Sequence, residues 1–129
     1  MPAIEQLQRV PEYHVEALRR QGIFTTGLLL EVSETSTRRQ YLADQIEATT
    51  NDVNAWRDEA LLLNLANFGP AEQVLLTQAG IVGLADLLAL EVDAFRGRLA
   101  HAARVLGVEV PDDLVIAGWH EQAHTLREE

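Results

Sequence analysis

The stretch Ala66-Asn67-Phe68-Gly69-Pro70-Ala71, followed by Val74-Leu75-Leu76, Ala79-Gly80-Ile81 and then Leu84 and Leu87, decides the fold. Pro70 suits the first position of a helix, where its missing N–H costs nothing. Gly80 sits just past an apolar-periodic segment, where a left-handed residue closes a helix. The segment therefore reads as helix, tight step, helix. The same reading extends outward. Upstream, Val53, Trp56, Ala60 and Leu63 recur at helical spacing, and downstream so do Phe95, Leu99, Ala102 and Leu106. Each set lays one apolar stripe along a helix with polar residues opposite. No segment shows the period-2 alternation of a half-buried strand. Gly22 and Gly107 repeat the stop signal of Gly80, and Pro11 and Pro111 suit turns or helix starts. Thr26, Ser36 and Thr50 are placed as N-cap hydroxyls. About nine short helices and an all-α fold are expected.

An internal repeat organises these helices. With Val10-Pro11 aligned to Phe68-Gly69, Gln21-Gly22-Ile23 falls on Ala79-Gly80-Ile81, Leu29-Leu30 on Leu87-Leu88, and Arg38 on Arg96. After small slips, Leu42-Ala43 and Ile46 meet Ala102-Ala103 and Leu106. Trp56-Arg57-Asp58-Glu59-Ala60 then meets Trp119-His120-Glu121-Gln122-Ala123. The expected layout is one all-α domain over residues 1–129, with repeat one at about 3–60 and repeat two at about 61–127. The long helix holding Trp56 is expected to be shared, ending one copy and opening the next. The helix holding Trp119 closes the second copy, so its far face is expected to be a terminal cap or a partner surface.

The apolar-glycine turn, the second helix and the Gly-Ile step resemble the helix-hairpin-helix motif. The run from Thr37-Arg38-Arg39-Gln40-Tyr41-Leu42-Ala43 through Trp56 into Phe68-Gly69-Pro70 resembles a bacterial family of tandem units of this kind, domain-of-unknown-function family 4332. The resemblance covers nearly the full length. It implies a fold and a role in binding nucleic acid or protein, and no reaction. In the DNA-binding members of the wider superfamily, the turn carries two glycines so that its amides can approach a phosphate, as amides at a helix N-terminus do. This chain departs from that pattern. One turn has only Gly69, followed by Pro70, which has no amide to donate. The other reads Val10-Pro11-Glu12-Tyr13, with no glycine and with a carboxylate that would repel a phosphate.

Composition bounds the function. The chain has 129 residues, one domain's worth, with no cysteine for disulfides or thiol chemistry. Twenty acidic residues face ten basic ones, all of them arginine, for a net charge of −10. That balance disfavours nucleic acid, whose affinity comes mainly from cations displacing counterions. The longest apolar runs, Gly27 to Leu30 and Ala60 to Leu63, are too short to cross a bilayer. The start, Met1-Pro2-Ala3-Ile4-Glu5, lacks the basic and apolar regions of a signal peptide. A cytoplasmic location, with no membrane association, is expected.

Three constellations remain as candidate chemistry. Phe68 and Gly69, with Arg38, Arg39, Arg96 and Arg98, could contact a phosphate backbone, the paired arginines acting as a clamp. Local pairing of those arginines with Glu31, Glu34, Glu91 and Asp93 is the competing reading, and Arg19-Arg20 suits a helix C-terminus. His120-Glu121-Gln122-Ala123-His124 spells HExxH, in which two imidazoles at i and i+4 can share a zinc with the glutamate as general base. A third protein ligand is needed; the usual downstream ligand segment is not seen, and Glu128, one turn beyond His124, could reach only if the terminal helix frayed. The equivalent positions of the first copy are Arg57 and Leu61, so the fold does not require histidine there. His14 and His101 read as half-buried or surface residues, and Trp56 and Trp119 as core anchors. No Ser/His/Asp set and no glycine-rich phosphate loop is present. The expectation is therefore a non-enzymatic binding module with no cofactor, engaging a protein partner or a second copy of itself. Its candidate partner surfaces are the terminal helix, Asp112 to Glu129, with Trp119, His120, Gln122 and Leu126, and the acidic faces. DNA binding is the alternative, and zinc-dependent hydrolysis through His120, Glu121 and His124 a remote one.

Overall fold

A computed structural model describes residues 2–126, which are helical as the sequence predicts. The chain forms two compact units, dividing between Asn64 and Leu65. The first contains a 3-10 turn at Ile4–Gln6, then α1 (Glu12–Arg20), α2 (Thr26–Val32), α3 (Ser36–Gln45) and α4 (Thr50–Leu63). The second contains α5 (Pro70–Gln78), α6 (Leu84–Leu88), α7 (Val92–Leu106) and α8 (Asp113–Leu126). The Trp56 helix, α4, lies wholly in the first unit. No strand occurs among the described residues. A single antiparallel bridge joins Ala3 to Thr25, beside the Ile4 amide bonded to the Phe24 carbonyl at 2.9 Å.

The glycine stops have the geometry their positions require. Gly22 and Gly80 adopt φ of +82° and +83°. At the end of α1 the Gly22 amide bonds the Arg19 carbonyl and the Ile23 amide bonds Leu18, at 2.9 and 3.0 Å. At the end of α5 the Gly80 and Ile81 amides bond Thr77 and Leu76 in the same way, at 3.0 and 2.8 Å. These paired bonds are the Schellman cap. Each brings a buried isoleucine (Ile23 or Ile81) back to the leucine (Leu18 or Leu76) three residues before the cap.

The helix starts use the expected chemistry one residue earlier than expected. The N-caps are Thr25, Thr35 and Thr49, not Thr26, Ser36 and Thr50. Each is extended and accepts the amide three residues on, from Leu28, Arg38 and Asp52 at 3.1 Å. In each pair of adjacent hydroxyls the first takes the cap because only it sits outside the helix. Thr26 is instead buried, its hydroxyl receiving the Asn64 side chain at 2.9 Å.

Helices this short are marginal alone, so packing holds them. In the first unit α2 and α3 pack on α4, burying Leu29, Leu42, Val53, Trp56 and Ala60. In the second α5 packs on α7 and α6 on α8, burying Leu76, Leu87, Phe95, Leu99, Ile116 and Trp119. Each fully buried side chain of this kind contributes roughly 1.5–3 kcal/mol. No helix among the described residues is long and apolar enough to cross a membrane.

Candidate functional site

The turn before α1 is held from below by Glu59 on α4. Its carboxylate accepts the amides of Gln8 and Arg9 at 2.6 and 2.9 Å, and the side chain is buried. The Arg9 guanidinium reaches Asp58 at 2.9 Å and the Ala55 carbonyl at 3.2 Å. Burial raises the Glu59 carboxyl above its ordinary value, against the opposing pull of the two amides and of Arg9. The turn thus already holds an anion of its own. Composition and motif reading passed over Glu59; only its alignment with Gln122 signalled it. In the second unit the Gln122 side chain accepts the Ala66 amide at 3.0 Å.

The turn at Phe68 and Gly69 is occupied as well. The Gly69 amide donates to the Glu72 carboxylate at 2.8 Å. Gly69 is extended, at φ −123°, a conformation open to any residue. A Cβ there would meet the Glu72 carboxylate at 3.1 Å. Phe68 packs edge-on against Trp119, centroids 5.6 Å apart. At the start of α6 the Val82 and Gly83 amides share the Asp86 carboxylate at 3.0 and 3.2 Å.

The arginines divide. Arg96 pairs with Asp93 at 2.8 Å and lies 3.2 Å from Asp113. Arg39 donates to the Ser33 and Glu34 carbonyls at 2.9 and 3.3 Å. Arg38 approaches Glu34 only at 3.9 Å, and Arg19 pairs with Glu5 at 3.2 Å. Among the described residues Arg98 makes no ion pair; it borders a shallow depression with Gly97 and His101. Arg96 thus pairs locally with Asp93, and Arg38 weakly with Glu34.

On α8 the terminal-helix candidates turn inward. Trp119 is 2% exposed and its indole N–H donates to the Ala66 carbonyl at 2.8 Å, so it anchors the core instead of offering a partner surface. His120 Nε2 lies 2.7 Å from the Leu90 carbonyl, just past α6. Arg57, its counterpart on α4, makes the same kind of bond just inside and past α2, to the Leu30 carbonyl at 2.8 Å and the Ser33 hydroxyl at 2.6 Å. The first histidine of HExxH therefore ties a helix end in place. His124 is exposed, its ring centroid 4.9 Å from that of His120. No group of three potential metal ligands forms among the described residues, and Glu128 lies outside them. Gln122 and Leu126 are half-buried. His14, expected to be half-buried or at the surface, is buried more deeply, at 5% exposed; its ring sits 4.2 Å from Tyr13 and 5.2 Å from Trp56, with Nε2 3.4 Å from the Glu47 carbonyl. His101 is exposed as expected.

The second unit does carry an apolar surface. Val105, Val108, Val110 and Leu114, between the end of α7 and the first turn of α8, are 44–82% exposed.

No curated protein and no solved structure matches the chain. The family model for a domain of unknown function, DUF4332, matches residues 8–126. That span takes in both units, from the Glu59-bound turn to the last turn of α8, and on it the chain belongs to the DUF4332 family.

Proposed function

We propose that the chain is a non-enzymatic helix-hairpin-helix module that binds protein, a second copy of itself being the simplest partner, and that it does not grip a phosphate backbone. One observation carries this reading. The turn amides that would face a phosphate donate to the chain's own side chains, Glu59 in the first unit and Glu72 and Gln122 in the second. A phosphate would have to displace a carboxylate already in place and do so against a net charge of −10. The exposed Val105, Val108, Val110 and Leu114 supply the apolar contact that protein recognition uses.

The test is anisotropy of labelled duplex and branched DNA at about 50 and about 200 mM salt, a range over which phosphate-driven affinity falls steeply. Flat titrations at both salts are expected. Micromolar binding that collapses with salt, and is lost when Gly69 and Arg96 are substituted together, would replace this reading with DNA binding. Light scattering against concentration addresses the surface. Leu114→Glu with Val108→Glu should lower the weight-average mass if copies of the chain meet there.

A further inference from the structure

We infer that the first unit carries a binding site for a small amphipathic carboxylate, in the open groove bordered by the end of α1, the end of α2 and one side of α3. The groove measures about 470 Å³, within the range of small-molecule sites. At about 30 Å³ for each water-sized group, it holds on the order of fifteen non-hydrogen atoms. Ile23 and Leu42, both almost wholly buried, belong also to the core, while Val32 and Tyr41 stand exposed at 38% and 66%. Val32 and Tyr41 are large apolar residues left in water by the fold, and the groove gives them a common use.

Charge selects the occupant's head group. In a chain with twice as many acids as bases, no carboxylate among the described residues lines this groove, and its one charged residue among them is Arg38. Arg38 is weakly engaged elsewhere, since its only ion pair among the described residues is the 3.9 Å approach to Glu34, with both side chains more than half exposed. Pairs of that kind contribute about 0–1 kcal/mol, so the guanidinium can turn to a better partner at little cost. Its planar fork matches a carboxylate bidentately. The Gln45 side chain and the Tyr41 phenol add further polar groups to the lining. The ligand class that fits is a free monocarboxylate with an apolar body of about ten carbons or more, such as a medium-chain fatty acid. This site is independent of the protein-binding surface proposed above, which lies in the other unit.

The experiment is calorimetric titration of the full chain with dodecanoate, kept below its micelle concentration, with dodecan-1-ol as the head-group control. One dodecanoate per chain is expected, with dodecan-1-ol binding at least about tenfold more weakly, the size of one charge-assisted contact. Arg38→Glu and Val32→Asp, both at exposed positions, should each weaken dodecanoate at least about tenfold, with unchanged helical circular dichroism and thermal midpoint. Absence of saturable binding, equal affinity for the alcohol, or full affinity in both variants would each overturn the assignment. Phosphatidylglycerol vesicles provide the last arm. Retention on them that dodecanoate does not compete away, and that Arg38→Glu abolishes, would assign Arg38 to a lipid surface and overturn the free-acid site.

Discussion

Glu59 and His120 show how much depends on single side chains beneath the turns. Glu59 takes two amides at once, so Glu59→Ala leaves both without a partner and should cost about 1–3 kcal/mol in urea unfolding. Its acidity gives a signed expectation as well. Burial raises the folded-state value above the 4.5 of an exposed glutamate. The folded protein therefore binds more protons than the unfolded chain between those two values. The stabilising contribution of this group is fully present below 4.5 and is lost as pH rises through the folded-state value. The stability of the native chain relative to Glu59→Gln should accordingly increase as pH falls from 7 towards 4.5. A flat difference would mean that the two amides and Arg9 fully offset the burial. For the HExxH residues, His120→Ala removes the bond to Leu90 and should cost about 1 kcal/mol. His124→Ala, at an exposed position, should stay within about 0.5 kcal/mol. Equal effects in the two variants would argue against a bracing role for His120.

At the scale of helices, the glycines separate into two kinds. Gly22 and Gly80 hold left-handed caps, and a side chain there costs about 1–2 kcal/mol. Gly97 and Gly118 lie inside α7 and α8, and a Cβ at either meets no atom within 4 Å. Gly97→Ala and Gly118→Ala should therefore raise stability by about 0.5–1 kcal/mol, and Gly22→Ala and Gly80→Ala should lower it, as read from thermal midpoints. This contrast also marks what the sequence disclosed. Gly-Ile steps, prolines and apolar spacing are local signals with one physical solution each, so the helices and their ends were legible to within a residue or two. The N-caps slipped by one position because Thr25-Thr26, Thr35-Ser36 and Thr49-Thr50 each offer two hydroxyls, and backbone geometry alone decides between them. The candidate sites were less legible. Whether Gly69 is free, whether Trp119 faces out and what Glu59 grips all depend on contacts across more than fifty positions of sequence or on a local carboxylate turning back, and neither leaves a pattern in spacing.

For the molecule as a whole, charge sets the main expectation. A net charge of −10 with no lysine means that self-repulsion is spread over the surface, whereas ion pairs such as Arg19–Glu5, Arg38–Glu34 and Arg96–Asp93 are exposed. Adding salt from about 10 to about 200 mM screens the repulsion more than it weakens those pairs. The urea midpoint should rise over that range, and a fall would place the Arg9–Asp58 and Arg96–Asp93 pairs above the repulsion. The buried tryptophans have an optical consequence. Each unit holds one indole in its core, Trp56 beside the His14 ring and Trp119 bonded to the Ala66 carbonyl. Trp56→Phe or Trp119→Phe thus leaves a single indole, in one unit, and its emission on excitation beyond the tyrosine band reports the melting of that unit, with no dye attached.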